Sequence, residues 1–271
     1  MTESHDDRDA AGESEAAEGG DESGGDLVVL IGGYEIVIEE AFVEFPWRAG
    51  IKRGPIAFGV VFVCVALLAA LGGGFGGGTV AGTVAYLLLV IYGLHLIPVV
   101  RGSTPEFLQP VAEWLIDIPY LRGFVLYGSD HGRPIRHVSD ILAGKTRDIG
   151  HINPLPASPN IPIEVYAAVP ALVLVAVGAE FALRYWDDVI VDSPIEVPRF
   201  GAAVGVGYLL VLFVGSFFVS EVGALGVAVP DRYLTVVFGF VYPAVFATIG
   251  ATLVYVQQEY LAADAPEESQ A

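Results

Sequence analysis

Three histidines and three aspartates fall within 22 residues: Asp130, His131, His137, Asp140, Asp148 and His151. Imidazole nitrogens and carboxylate oxygens hold divalent metal ions, so His131, His137, Asp140 and His151 are the candidate metal ligands of the chain. Their spacing is irregular, and only His137 and Asp140 stand three apart, as neighbours on a helix face do. Polar loops of acidic proteins collect such residues without binding metal. No cofactor is therefore expected, and a metal-dependent membrane enzyme ranks last among the readings of function.

Two further ionisable residues interrupt long apolar stretches, where an unpaired charge costs several kcal/mol and usually has a task. Glu180 precedes Arg184 by one helical turn, a spacing at which the two neutralise each other while Arg184 reaches for the interface. His95 stands three residues before Pro98, with Tyr86 and Tyr92 in the same segment. As a neutral imidazole it is expected to make an interhelical hydrogen bond rather than to relay protons. If His95 and Glu180 met in one cavity, with Pro170 and Pro243 opening backbone carbonyls, the chain would read as a small-solute transporter or channel subunit. Enzyme signatures fail: there is no His-Glu-x-x-His helix and no Gly-x-Ser-x-Gly elbow, and the glycine run 72–78 lacks the lysine of a phosphate-binding loop. Glu39-Glu40 opens the Glu-Glu-x-x-x-Arg pattern of CAAX-type intramembrane proteases, but Glu44 occupies the arginine position and no Phe-x-x-x-His follows.

The elements that carry these residues are membrane spans. Five stretches reach the roughly 20 apolar residues a crossing needs: 54–77, 79–100, 162–183, 200–222 and 234–256. The expected fold class is all-α, a polytopic transmembrane helical bundle of about five spans with interfacial amphipathic helices. One such helix is expected over 33–45, with Tyr34, Ile38, Ala41, Phe42 and Phe45 on one face and Pro46 ending it. Pro110 and Pro119 break 105–127 into a pair of short interfacial or re-entrant helices rather than a sixth crossing. The polar stretch 128–161 reads as loop with a short helix near 139–147, and Glu221 ends the fourth span. Gly201, Ala203, Gly205 and Gly207, and Gly239, Pro243, Ala247 and Ala251, are spaced for close helix contact within a bundle or between copies of the chain. With five spans and a cytoplasmic N-terminus, eleven of the thirteen Lys and Arg residues lie inside and only Arg184 and Arg199 outside, which puts the C-terminus outside the cell membrane.

The net charge of −19 is concentrated at the ends. Residues 1–26 carry ten carboxylates against Arg8, and 259–271 carry four against none, so the middle retains −6. A chain this acidic, with no basic stripe, repels nucleic acid. Arginine occurs eleven times and lysine only twice, a bias that points to a cell holding molar salt, where the Debye length of about 3 Å screens acidic self-repulsion. Cys64 is the only cysteine and reads as a buried thiol. No secretory leader is expected in the acidic first 26 residues. The organisation is thus an acidic tail over 1–26, an interfacial segment over 27–53, a hairpin of spans over 54–100, a cytoplasmic or interfacial region over 101–161, three spans over 162–257 and a second acidic tail over 258–271.

Glu40-Ala41-Phe42, Pro46 and Arg48, then a glycine-rich span, Val100-Arg101, Pro105-Glu106-Phe107 and Trp114 follow one another in an order that resembles the first half of an uncharacterised multi-pass membrane family common in haloarchaea. The likeness covers residues 38–120, with an echo at Arg199-Phe200-Gly201-Ala202-Ala203. It implies an integral membrane protein of a halophilic archaeon and brings no catalytic residues. The leading expectation is a non-enzymatic structural or partner-binding membrane component, whose partners are the lipid bilayer and a protein docking on 101–161.

Overall fold

A computed structural model describes residues 27–31, 34–38, 45–72, 80–104, 106–115, 117–118, 121–126, 161–186, 189, 194–223 and 226–261. They fall into two units, Met1–Phe45 and Pro46–Ala271. In the first, strands β1 (Leu27–Ile31) and β2 (Tyr34–Ile38) pair antiparallel, from Leu27 opposite Ile38 to Ile31 opposite Tyr34. The helix expected over 33–45 is therefore a strand over Tyr34–Ile38, and residues 39–44 lie outside the described ones. LVVLI and YEIVI are rich in β-branched side chains, which suit a pleated surface.

The second unit contains helices α1 (Trp47–Leu71) and α2 (Val80–Leu94), strand β3 (Val99–Arg101), a 3₁₀ turn (Glu106–Leu108), helices α3 (Gln109–Leu115), α4 (Arg122–Val125), α5 (Ile163–Tyr185) and α6 (Pro198–Phe218), strands β4 (Glu221–Gly223) and β5 (Gly226–Pro230), and helix α7 (Arg232–Val256) continued by a π-helical turn (Gln257–Leu261). The pair of short helices expected within 105–127 is present as α3 and α4. Glu221 opens β4 rather than ending a helix. Four helices, α1, α5, α6 and α7, are long and apolar enough to cross a membrane. The chain is an all-α membrane bundle, and its packing is that of a body solvated by lipid. Leu67, Leu172, Leu210, Val214, Ile249 and Leu253 face outward, whereas Gly54, Ala57, Gly178, Ala203, Gly207, Ala247 and Gly250 are buried.

Small residues set the helix order because they let backbones touch. Gly50 faces Ala203 and Gly54 faces Gly207, so α1 and α6 run in the same direction. Gly201 meets Thr248 while Gly205 meets Phe240 and Ala244, so α7 runs opposite to α6. Gly178 abuts Ala247 and Trp186 lies against Tyr255, so α5 runs with α7. One end of the bundle therefore gathers the start of α1, the end of α5, the start of α6 and the end of α7, and is called proximal below. Pro55 has no N–H to offer the Ile51 carbonyl, and it is against that freed carbonyl that Gly207 packs.

The distal end is closed by a small sheet in the order β3-β5-β4 and by α4. Arg232 secures it, donating to the Gly123 and Leu126 carbonyls with its guanidinium 4.2 Å above the Phe217 ring. Asp231 caps α7 by accepting from the Leu234 N–H at 3.0 Å.

The segment expected to cross over 79–100 is not one continuous helix. Helix α2 has 15 residues, about 22 Å at 1.5 Å each, short of the roughly 30 Å hydrocarbon core. The chain then returns as β3 to pair with β5 at the distal end, where Asp231 N–H donates to the Pro98 carbonyl at 2.9 Å. It enters the bundle and leaves on the same end. Hydropathy made 79–100 look continuous because the returning Ile97, Val99 and Val100 are as apolar as the helix.

Candidate functional site

The turn of this re-entrant segment is built at its tip. Leu96 takes a φ of +62°, Ile97 N–H donates to the Tyr92 carbonyl and Leu96 N–H to the Gly93 carbonyl, both at 3.0 Å. These are the two bonds of a Schellman closure, with leucine where glycine is usual. Irregular backbone is tolerated inside a membrane only where protein satisfies it, and here the carbonyls of Ile91, Tyr92 and Gly93 are all used.

His95 is the capping residue of that closure and is fully buried. Its Nδ1 lies 2.7 Å from the Ile91 carbonyl, which can only accept, so Nδ1 carries the hydrogen. Nε2 is then the acceptor for the Tyr208 hydroxyl of α6 at 2.9 Å. The Tyr242 ring of α7 stands edge-on to the imidazole at 4.8 Å, and the Tyr92 hydroxyl donates to the Leu212 carbonyl at 2.5 Å in space that Gly215 leaves open. Tyr208 is ten residues from either end of α6 and Tyr242 ten from the start of α7, placing His95 about 15 Å below the distal end. The interhelical hydrogen bond expected of His95 is present. Its partner Tyr208, 113 residues away, had no local signal in the sequence.

Glu180 has a different partner from the one its spacing suggested. Arg53 of α1 forks onto it, with Nε 2.7 Å from Oε2 and Nη2 3.0 Å from Oε1, while Arg184 stands 3.9 Å away. The Arg53 guanidinium also lies over the rings of Phe181 at 4.8 Å and Tyr185 at 5.2 Å. This is a bidentate, ring-backed pair joining two helices, of the kind that fixes geometry as well as charge. It lines an open cleft at the proximal end, and His95 is not among the residues of that cleft. The two intramembrane candidates are therefore brought to separate places. His131, His137, Asp140 and His151, with Asp130, Asp148 and the short helix near 139–147, lie outside the described residues, among which no cluster of three metal-ligating side chains occurs.

The model of a family of unknown function, DUF7978, matches residues 66–258. The chain belongs to this family. The DUF7978 segment takes in His95, Glu180, Tyr208 and Tyr242, the re-entrant turn and three of the four long helices, whereas Arg53 and the β1–β2 hairpin precede it. No curated protein and no solved structure matches the chain.

Proposed function

We propose that this protein is a non-catalytic component of a cell membrane, a structural or partner-binding bundle whose protein partner docks on the 101–161 region. One observation carries the reading: the polar side chains the sequence singles out are spent on holding helices together, Glu180 on Arg53, His95 on Tyr208 and the Ile91 carbonyl, and Tyr92 on the Leu212 carbonyl, while the buried Tyr166 hydroxyl has no hydrogen-bond partner among the described residues. Association between copies would use surfaces other than Gly201, Gly205 and Gly207, since these faces are filled by α7 and α1. The helix directions support four crossings, with both tails on one side. Six bases then fall on the tail side and seven on the other, so their count no longer selects an orientation. The tail side is assigned to the cytoplasm, where the −9 and −4 tails would share one high-salt solvent, as the scarcity of lysine suggests.

Transport is the second reading, and α2 is what favours it. A discontinuous helix ending at mid-depth beside polar groups is how transporters build solute sites. Flux from proteoliposomes of the full chain separates the two. Solute and ion release equal to that of empty vesicles is expected, and a flux that His95→Phe abolishes would replace the structural reading with transport.

A further inference from the structure

The proximal cleft, about 630 Å³, opens between the first turns of α1 and the last turns of α5. Arg48, Lys52, Arg53 and Arg184 reach into it against the single carboxylate of Glu180. Arg53 and Glu180 neutralise each other, with the Arg53 side chain 13% exposed and that of Glu180 52%, so among the described residues lining the cleft Arg48, Lys52 and Arg184, the last 3.9 Å from the same carboxylate, leave an excess of positive charge. Their placement opposes two local preferences. Arg48 and Lys52 are like charges one turn apart, a repelling pair. Arg48 also stands in the first turn of α1, where the helix dipole disfavours cations and where no acidic residue lies. An anion seated between Arg48, Lys52 and Arg184 would remove both penalties.

The inner wall of the cleft is apolar, formed by Ile56 and Val177 toward the bundle middle. Trp47, Tyr185 and Trp186 flank its mouth in sequence, as aromatic side chains do at headgroup depth. A free phosphate has no use for that wall, whereas an acyl chain does. We propose that this cleft binds an anionic membrane lipid, its phosphodiester held by Arg48, Lys52 and Arg184 and its chain lying along Ile56 and Val177.

The test uses the full chain with Trp114→Phe, so that Trp47 and Trp186 alone report, in phosphatidylcholine vesicles containing a minor fraction of brominated lipid. Quenching by brominated phosphatidylglycerol is expected to exceed quenching by brominated phosphatidylcholine by at least about fivefold in effective affinity, the scale of one basic residue at a charged surface. Replacing Arg48, Lys52 and Arg184 together by glutamine should equalise the two lipids, and replacing Arg48 and Arg184 by lysine should keep the preference. Equal quenching in the unsubstituted cleft overturns the proposal, and so does a preference that survives the triple glutamine variant. Inorganic phosphate added at millimolar concentration is expected to leave the preference intact; its loss would assign the cleft to a free anion instead of a lipid.

Discussion

Glu180 has two arginines within reach and is bound by the one from another helix. The local partner, Arg184, is 3.9 Å away and exposed, while Arg53 is held by the aromatic rings beside it and offers two parallel N–H groups. Replacing Glu180 by glutamine leaves that guanidinium without its carboxylate, yet the carboxylate is half in solvent, so a loss of about 1 kcal/mol is expected in reversible unfolding from detergent. His95 presents the opposite case, since it, Tyr92 and Tyr208 are all fully buried. Tyr208→Phe removes the donor to Nε2 and is expected to cost about 1–3 kcal/mol in the same assay. Leu96 stores strain beside it. Leu96→Gly relieves a left-handed conformation that costs roughly 1–2 kcal/mol for an L-residue and should raise stability, whereas Leu96→Val, with its branched Cβ, should lower it. A rise in stability with valine would refute the backbone account of this turn. The pairing of Arg53 with Glu180 was illegible in the sequence because 127 residues separate the two, while the i, i+4 arginine offered a plausible local substitute.

Helix packing was more legible. The spacing of Gly201, Ala203, Gly205 and Gly207 announced close contact, although not that alternate members face different helices, Gly201 and Gly205 toward α7 and Ala203 and Gly207 toward α1. A methyl group at Gly54 or Gly207 would meet backbone of the opposite helix, which cannot give way. Gly207→Ala is expected to destabilise by about 3 kcal/mol and Gly54→Ala by a similar amount. Gly59 has nothing within 4 Å of a would-be Cβ, so Gly59→Ala, with little effect, is the matched control. Equal effects at Gly59 and Gly207 would dismiss the packing argument. Two elements misled for one reason. A short run of β-branched residues with apolar groups at several periods satisfies more than one template, so Tyr34–Ile38 could be read as helix and Ile97–Val100 as the end of a span. What distinguishes them is a partner strand, β1 in the first case and β5 in the second.

At the scale of the whole molecule the number of crossings decides where everything else lies. With Cys64 replaced by alanine and single cysteines placed at Thr2, Ser129, Ser193 and Ser269, an impermeant maleimide separates the alternatives. Four crossings predict that Thr2, Ser193 and Ser269 label from one side and Ser129 from the other. Five crossings predict Thr2 with Ser129 and Ser193 with Ser269, and that pattern would reject the re-entrant reading of α2. The difference turns on one segment: a crossing α2 would make α1 run with α5, whereas α1 runs with α6 and against α5.

That segment also constrains how the protein can be made. The walls that satisfy His95 are Tyr208 and Tyr242, and the strand that draws the chain back out is β5, all more than a hundred residues downstream. A ribosome that has just finished Arg101 has supplied 79–100, apolar enough to sit across the bilayer, and none of the groups that hold it half-way. The nascent chain must park this stretch elsewhere and settle it only after its last helices arrive. Assembly of the interior is thus a late, post-insertional event, and a chain truncated before residue 200 would leave His95 without its mature surroundings.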